Sequence, residues 1–552
     1  MNNETVIEAN PARVVAERDP KIFGHFIEHF HRQIYGGVYD PGNANADADG
    51  FRTDVIDALR RIGTPVVRWP GGCFVSAYHW KDGVGSQRRP AFDKAWRVEE
   101  PNDFGTDEFI RLCRKIGAEP YICTNAGTGT PEEMSDWVEY CNLDSKGYWS
   151  RVRAANGYQK PHAVRYWSIG NENYLPGEMG VKTPEVWPDF VRESAKMMKR
   201  VDPSIELSAA ATDDLDWNLG LLRRSGDLLD WISVHGYWDM LHKVNNVSSY
   251  ETCMEHSRNI EPRLAKIRHI LGALGALDDG GGLEDGGGRD AGGSGGGRRG
   301  GLGRIRVAFD EWNLRGWHHP AVDTGLTPEE YLAPRDENDD NSVYTMADAV
   351  FSACFLNACL RNADIVGMAN FAPVVNTRGA IFTHPEGIVL RTTFHVFEMY
   401  WSMTGDTVID SWIRGGQSEG GGAIEAGERK GATVRGGETA GDRQAARDGK
   451  TAAAQLDCVA TRGGDGVVSF AIANRSRVER EEVTLSVYGL PVDSAEGRTL
   501  SGPEADSYNS IEHPQEVIPE TLRCAIEGNG RVRVVLPPHS VSVIRVMPAE
   551  AS

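Results

Sequence analysis

The sequence has no apolar run of the roughly 20 residues that a membrane-spanning helix requires. It is also poor in basic residues, with 59 Lys and Arg against 79 Asp and Glu and a formal net charge of −20. Nucleic acids and anionic membranes bind to basic surfaces, so this balance argues against both as partners. A neutral ligand such as a sugar is not excluded, because its binding does not depend on that sign.

The cysteine pattern excludes two further classes of protein. The nine cysteines are odd in number, widely spaced and without a C-x-x-C pair. This favours reduced thiols over a disulfide framework or a zinc cage. Residues 1–10 are polar and acidic and lack the basic and apolar segments of a secretory signal. We therefore expect a cytoplasmic protein.

The chain also has no early phosphate-binding glycine turn, which argues against a doubly wound nucleotide-binding sheet. Instead, short apolar runs alternate with amphipathic stretches from about residue 20 to 405. Eight candidate strands, each followed by a helical pattern, predict an α/β fold of the (β/α)8 TIM-barrel type. The candidate strands cover residues 21–28, 65–71, 120–125, 164–170, 205–211, 231–237, 305–311 and 365–371. The helical patterns cover residues 55–62, 107–116, 131–141, 185–200, 219–224, 250–274, 344–360 and 392–403.

Two segments interrupt this organisation. Residues 278–303 include 14 glycines, and residues 414–455 are rich in Gly, Ala, Arg and Glu. Neither has enough apolar residues to offset the entropy lost on ordering, so we expect both to be disordered insertions.

The C-terminal part has a different pattern. Apolar and polar residues alternate over residues 467–473, 482–488 and 531–547, which is typical of an antiparallel β-sandwich. Residues 5–15 also read as a strand and can join it. The predicted divisions are an N-terminal strand that joins the sandwich (1–18), the barrel (19–405) and a jelly-roll-like sandwich (406–552).

Two candidate barrel strands end in a glutamate. The fourth ends in Trp167-Ser-Ile-Gly-Asn-Glu-Asn173 and the seventh in Ala308-Phe-Asp-Glu-Trp-Asn313. Barrel enzymes carry their chemistry at these strand ends, and a glycosidic bond is cleaved by two carboxyls. One glutamate alone would more often cap a helix or form an ion pair, but the pair favours catalysis by Glu172 and Glu311. Because side chains alternate along a strand, Asp310 is expected to face away from Glu311 and brace the barrel wall.

These two motifs resemble the acid/base and nucleophile motifs of the α-L-arabinofuranosidases of glycoside hydrolase family 51, in clan A. The resemblance runs in order over roughly residues 5–405. It includes four further motifs, namely Gly24-His-Phe-Ile-Glu-His29, Arg68-Trp-Pro-Gly-Gly-Cys-Phe74, His235-Gly-Tyr237 and Thr392-Thr-Phe-His-Val-Phe-Glu-Met-Tyr400.

The resemblance implies a retaining, exo-acting enzyme that releases terminal arabinofuranosyl groups from arabinose-containing oligosaccharides without a cofactor or metal. It implies Glu172 as acid/base and Glu311 as nucleophile. It also implies a homo-oligomer, with a hexamer as one candidate. The residues expected to bind or position the substrate are Glu28, Arg68, Cys73, Asn171, His235, Tyr237, Trp312 and Asn376. Cys73 departs from the family pattern, because some members carry Asn there and a thiol is a poor donor.

Other functions remain open from the sequence. A different retaining glycosidase of the same clan, such as a β-xylosidase or an endoglucanase, would use the same barrel and the same two carboxyls. A carbohydrate-binding barrel without activity is a second alternative. His25-Phe-Ile-Glu-His29 matches the H-x-x-E-H zinc pattern, although that pattern needs a helix and these residues end a predicted strand.

Overall fold

The computed structural model describes residues 4–241, 247–275, 305–317, 341–415, 452–528 and 530–549. The segment 278–303 and most of the segment 414–455, both predicted to be disordered, lie outside the described residues. Within the described part of the chain, no helix is both long and apolar enough to cross a membrane.

The N-terminal three quarters of the chain alternate strands and helices. In chain order the strands are β1 (Thr5–Glu17), β2 (Gly24–Phe26), β3 (Val66–Trp69), β4 (Ala91–Phe92), β5 (Glu99–Glu100), β6 (Glu119–Thr124), β7 (Tyr166–Ile169), β8 (Glu206–Ala209), β9 (Trp231–Leu241), β10 (Arg306–Trp317), β11 (Val366–Phe371), β12 (Ile381–His384) and β13 (Gly387–Leu390). The helices are α1 (Thr53–Arg61), α2 (Thr106–Ile116), α3 (Pro131–Asn142), α4 (Tyr148–Ala155), α5 (Trp187–Val201), α6 (Leu215–Ser225), α7 (Tyr250–Ser257), α8 (Ile260–Ala273), α9 (Met346–Arg361), α10 (Thr392–Met403) and α11 (Ala452–Gln455).

Eight parallel strands form the barrel. Their order in the sheet is β8-β7-β6-β3-β2-β11-β10-β9. From β2 to β8 and then from β9 to β11 the strands follow the chain order, and the last strand, β11, pairs with the first, β2. A parallel bridge between Ala210 and Ser233 joins the two remaining edges, just beyond β8 and within β9. The predicted (β/α)8 barrel is confirmed, and its C-terminal strand ends meet at one mouth.

The first barrel strand is shorter than the predicted 21–28. Pro20–Phe23 forms a 3-10 helix, which Asp19 caps by accepting the backbone N–H of Lys21. Proline suits the first helical position because its φ is fixed and it has no N–H to satisfy. The strand therefore begins only at Gly24.

Several other elements differ from the sequence prediction. The pattern over 250–274 is two helices, α7 and α8, rather than one. Helix α4 and two small antiparallel hairpins, β4–β5 and β12–β13, were not predicted. Both hairpins lie in loops that follow barrel strands, so they build up the mouth.

The second domain consists mainly of strands. They are β1 together with β14 (Thr407–Arg414), β15 (Leu456–Arg462), β16 (Val468–Asn474), β17 (Glu481–Val487), β18 (Val492–Leu500), β19 (Glu520–Leu522), β20 (Ala525–Ile526), β21 (Val532–Leu536) and β22 (Ser540–Pro548). They form one curled ten-stranded sheet around its own apolar core. The predicted sandwich is thus confirmed, with one difference: β1 pairs antiparallel with β14 but parallel with β17.

Helix α9 joins the two domains. Residues 346–360 are buried on every side of this helix, as expected for a helix between two packed layers. Asn357 donates a 2.8 Å hydrogen bond to Asp457 on β15, and Arg361 forms an ion pair with the same carboxylate at 3.1 Å. These polar contacts fix the strand-rich domain against the barrel.

Candidate active site

The two glutamates meet at the mouth of the barrel. Glu172 follows β7 in a left-handed backbone conformation, with φ 45°, and Glu311 lies within β10. One carboxylate oxygen of each, together with a ring nitrogen of His235, lies within 4.8 Å of the others. Left-handed φ is uncommon outside glycine and is often found where a side chain must be aimed at a functional site.

Both oxygens of Glu311 are held by hydrogen-bond donors. The guanidinium of Arg68 donates to Oε1 at 2.5 Å, and the hydroxyl of Tyr237 donates to Oε2 at 2.7 Å. The carboxylate itself is almost fully buried. Two fixed donors of this kind set the orientation of a carboxylate.

Arg68 connects Glu311 to the rest of the site. Its buried guanidinium also donates to Oδ1 of Asn171 at 2.9 Å and lies 3.4 Å from Asp310. Asp310 accepts hydrogen bonds from Tyr121 and Ser233, both at 2.7 Å, inside the barrel.

The expectation that Asp310 faces away from Glu311 was therefore wrong. The pairing of β10 with β9 changes register between Ala308 and Glu311. This irregularity interrupts strict alternation, so consecutive carboxyls can both point inward. Burial raises the pKa of Asp310, but the charges of Arg68 and His235 outweigh burial and hold that pKa below its ordinary value.

His235 lies between the carboxyls. Its Nδ1 is 2.9 Å from Glu172 and 3.6 Å from Glu311, and its Nε2 is 3.4 Å from Asp310. Burial lowers the pKa of His235, but the three surrounding carboxyls outweigh burial and raise it to about 10. The ring is therefore an imidazolium at neutral pH, with a proton to donate on each nitrogen.

Glu28 forms another wall of the site. Its Oε1 accepts hydrogen bonds from the backbone N–H of Phe74 and from the indole of Trp96, both at 3.0 Å. Burial and the charge of Glu311 raise the pKa of Glu28 to about 7. Glycines bring the backbone close here, since a Cβ on Gly71 would lie 2.4 Å from the Glu28 side chain.

Asn171 has an unused donor. Its side chain is fully buried and its Oδ1 is bound by Arg68, yet its Nδ2 has no partner among the described residues. An unsatisfied buried amide is costly. A hydroxyl group bound between the two glutamates would supply the missing acceptor.

Two family descriptions match the chain: the α-L-arabinofuranosidase 1 domain over residues 58–255 and the α-L-arabinofuranosidase C-terminal domain over residues 310–540. The chain is also similar to a probable α-L-arabinofuranosidase C of Aspergillus niger, with 32% identity over 554 residues that cover 98% of this chain and 96% of that protein. The chain belongs to the α-L-arabinofuranosidase family. An intracellular exo-α-(1→5)-L-arabinofuranosidase of Halalkalibacterium halodurans is 34% identical over 400 residues, 71% of this chain and 74% of that protein. The solved structure of the thermostable GH51 α-L-arabinofuranosidase of Thermotoga petrophila is similar to this chain, with a TM-score of 0.78 and 31% identity. The match covers 98% of this chain and 100% of that chain.

This α-L-arabinofuranosidase family member has a third carboxyl beside Glu172. Glu178 is buried in the loop after β7, where it accepts a 2.5 Å hydrogen bond from Ser76. One of its oxygens, the thiol of Cys73 and an oxygen of Glu172 lie within 4.8 Å of one another. Burial is the main reason that the pKa of Glu178 rises to about 8. Glu178 was not predicted from the sequence, where its only signal was its position in the same loop as Glu172.

Cys73 lies in this corner of the site, half-buried. Burial and the neighbouring carboxyls raise the pKa of its thiol well above the ordinary value. It therefore stays protonated at neutral pH, and a thiol is a weak hydrogen-bond donor.

Two residues predicted to bind substrate do not face the site. The ring of Trp312 is fully buried and stacks on Phe355 at 3.8 Å between the barrel and its helices. Asn376 is also buried. Its amide donates to the backbone of Arg32 at 2.6 Å and accepts from the backbone of Thr383 at 2.8 Å. The packing of both side chains keeps them from a sugar in the mouth, so both predictions are corrected.

The other tryptophans near the strand ends are mostly packing residues. Trp69, Trp80 and Trp238 pack in aromatic clusters, and Trp96 alone of the four hydrogen-bonds a carboxylate of the site. The side chain of Trp317 lies outside the described residues.

The zinc alternative is contradicted by the surroundings of its two histidines. His29 has both ring nitrogens engaged, by Glu100 at 2.9 Å and by the indole of Trp69 at 3.0 Å. His25 packs edge-on against Phe397, and burial lowers its pKa to about 3. Neither histidine belongs to a group of three His, Cys, Asp or Glu side chains that could hold a metal ion within the described residues.

Proposed function

We propose that this protein is a retaining, exo-acting α-L-arabinofuranosidase of glycoside hydrolase family 51, in clan A. It would release terminal arabinofuranosyl groups from arabinose-containing oligosaccharides. One observation carries the mechanism: oxygens of Glu172 and Glu311 lie within 4.8 Å of each other. Retaining glycosidases hold their carboxyls about 5–5.5 Å apart, whereas inverting enzymes leave about 6.5–9.5 Å for a water molecule.

In the first step Glu311 attacks the anomeric carbon while Glu172 gives a proton to the leaving oxygen. The glycosidic bond breaks and a covalent arabinosyl–enzyme forms. In the second step Glu172 removes a proton from water, which attacks the same carbon and frees Glu311. Arg68 and Tyr237 orient the nucleophile for both steps through their hydrogen bonds to its two oxygens.

The proposed acid/base is positioned by His235, whose Nδ1 is 2.9 Å from Glu172. Because the imidazolium also faces Glu311, the proton that moves in catalysis belongs to a coupled group of charges rather than to Glu172 alone. Glu28 and the unpaired amide of Asn171 would bind sugar hydroxyls, and Cys73 would line the same pocket. No cofactor takes part in this scheme.

The exo mode is supported by the similarity to a relative named as an exo-α-(1→5)-L-arabinofuranosidase. A β-xylosidase or an endoglucanase would use the same pair of carboxyls, and a non-catalytic barrel would bind sugar without turnover. Activity on matched aryl glycosides separates these alternatives. We further propose that the chain is divided into an N-terminal strand (1–18), the barrel (19–405) and the sandwich (406–552). We also propose a cytoplasmic location and a homo-oligomer. Sedimentation velocity would show whether that oligomer is a hexamer.

The decisive experiment is hydrolysis of an aryl α-L-arabinofuranoside by the wild type, Glu172→Ala and Glu311→Ala, with and without azide. We expect wild-type activity and a loss of about 10²–10⁴-fold for Glu172→Ala on a poor leaving group. Azide should rescue Glu172→Ala as the α-azide, with configuration retained, and any product from Glu311→Ala should be the inverted β-azide. The opposite stereochemistry would exchange the two roles. Cleavage of an aryl xyloside or glucoside instead would keep the mechanism and reject the substrate.

A further inference from the structure

Arg378, in the loop after β11, is a buried cation that forms no ion pair among the residues that the structure describes. The residue is 7% exposed, and its Nε is buried without a hydrogen-bond partner. No ion pair or hydrogen bond of its guanidinium occurs within the described residues. A buried Nε–H without an acceptor is unfavourable, so a ligand that supplies acceptor oxygens to this guanidinium would stabilise the arrangement.

The guanidinium lies beside the reacting groups. Its Cζ is 4.9 Å from the ring centroid of Tyr237, whose hydroxyl donates to Glu311 at 2.7 Å. Burial and Glu311 raise the pKa of Glu28, and the positive charge of Arg378 opposes that rise. Glu28 is thus coupled to both Arg378 and Glu311, and the charges of Arg378 and Glu311 also act on Tyr237 in opposite directions.

The loop that carries Arg378 is held in place. Asn376 and Thr377 both have left-handed backbones, with φ 54° and φ 43°, which only surrounding contacts can maintain. Arg391 donates to the carbonyls of Thr377 at 2.5 Å and Gly379 at 3.1 Å, on either side of Arg378.

The carbonyl of Arg378 itself is held by the side-chain amide of Asn313, at 3.0 Å. Asn313 lies on β10, two residues beyond the nucleophile Glu311. The position of Arg378 is thus tied to the strand that carries the nucleophile.

We infer that Arg378 is a further substrate-binding residue, whose guanidinium donates hydrogen bonds to hydroxyl oxygens of the arabinofuranosyl group held between Glu28 and Glu311. This inference rests on the proposed function. A guanidinium only donates hydrogen bonds and a carboxylate only accepts them, whereas a hydroxyl does both. A sugar hydroxyl between Arg378 and Glu28 satisfies both groups at once, and the planar fork of arginine can serve two neighbouring oxygens.

The test compares the wild type, Arg378→Met and Arg378→Lys on an aryl α-L-arabinofuranoside and on its 2-, 3- and 5-deoxy analogues. We expect Arg378→Met to lower kcat/KM on the parent compound by about 10- to 100-fold, since a hydrogen bond to a charged group is lost. For at least one deoxy analogue the difference between wild type and Arg378→Met should fall below threefold, because the partner hydroxyl is already missing. A structural defect would lower activity on all four compounds by the same factor.

Arg165→Met is the matched control. Arg165 also lies over a tyrosine ring, at 5.5 Å from that of Tyr166, but it precedes β7 at the opposite end of the barrel. The kcat/KM of Arg165→Met on the parent compound should stay within twofold of the wild-type value. If Arg378→Met does not fold, Arg378→Lys takes its place, because lysine keeps the charge and most of the stem. The inference is then tested by comparing Arg378→Lys with the wild type on the parent compound and the three deoxy analogues.

Equal loss on every analogue, or no loss on the parent compound, would overturn the inference while leaving the proposed function intact. A wild type that does not cleave the parent compound would instead reject the proposed function, and the inference with it.

Discussion

The guanidinium of Arg68 on β3 donates a 2.5 Å hydrogen bond to Glu311 on β10, across the interior of the barrel. Both side chains are almost fully buried, and the same guanidinium also lies 3.4 Å from Asp310. Arg68 therefore shares with the His235 imidazolium the balance of two buried carboxyls. Removal of one cation from such a group leaves carboxylate charge uncompensated.

We expect Arg68→Met to lower the free energy of unfolding by about 3–5 kcal/mol, because two buried carboxyls lose one of their two cationic partners. Its kcat/KM on an aryl α-L-arabinofuranoside should fall at least 100-fold, and Arg68→Lys should lie between that variant and the wild type. Urea unfolding and initial rates measure the two effects. Arg60→Met is the control, since that side chain is 54% exposed and pairs only with Asp57 among the acidic groups that the structure describes. A stable, fully active Arg68→Met would contradict the role given to Arg68.

Tyr237→Phe removes only the hydroxyl that donates to Glu311. We expect kcat/KM to fall by about 10-fold or more, because the proposed nucleophile Glu311 loses one of its two fixed donors. The melting temperature should change little, since the ring keeps its packing. Tyr166→Phe, at the far end of the barrel on β7, serves as the control. Steady-state kinetics that do not distinguish the two variants would show that the hydroxyl has no part in the reaction.

Glu178→Gln tests the third carboxyl through the pH dependence of stability. The pKa of Glu178 is raised from 4.5 to about 8, chiefly by burial. Between these pH values the folded protein retains a proton that the unfolded chain has lost, so the free energy of unfolding falls as pH rises. Glutamine cannot ionise and should escape this loss, so Glu178→Gln should gain melting temperature relative to the wild type between pH 5 and pH 9.

Glu193→Gln, an exposed glutamate on α5 that pairs with Lys196, provides the comparison for Glu178. Its melting temperature should follow that of the wild type at both pH values. A difference between Glu178→Gln and wild type that does not depend on pH would contradict the buried, protonated state of Glu178.

The two tryptophans Trp96 and Trp312 form a matched pair. Trp96→Phe removes the indole that donates to Glu28 at 3.0 Å, so KM should rise severalfold. Trp312→Phe changes only a ring packed on Phe355, so it should lower the melting temperature and leave KM unchanged. Parallel measurements of KM and melting temperature separate the two outcomes. A higher KM for Trp312→Phe would restore Trp312 as a substrate contact.

Much of the barrel follows from local pattern. The candidate strands 120–125 and 365–371 differ from β6 and β11 by at most one residue at either end, because buried parallel strands are short apolar runs with clear limits. The interrupted helix over 250–274 and the two-residue strands of β4–β5 carried no comparable signal. Their existence depends on what the loops contact after the barrel has formed.

The sequence by itself determined the repeated strand–helix order, the strand-rich second domain and the two glutamates at strand ends, because hydrophobic periodicity and short motifs are local properties. Only the tertiary structure decided which polar side chains face one another. Asp310 points inward because of a register change against β9. Glu178 lies beside Glu172 and Arg378 beside Tyr237, and each is also held by a residue far away in the chain, Ser76 for Glu178 and Asn313 for Arg378. Trp312 lies within a motif, but its ring stacks on Phe355, and Asn376 is bound to the backbone of Arg32 and Thr383, so these contacts keep both side chains out of the site. Sequence distance fixes neither the direction of a side chain nor the charges that surround it, and these two properties decide the chemistry of the site.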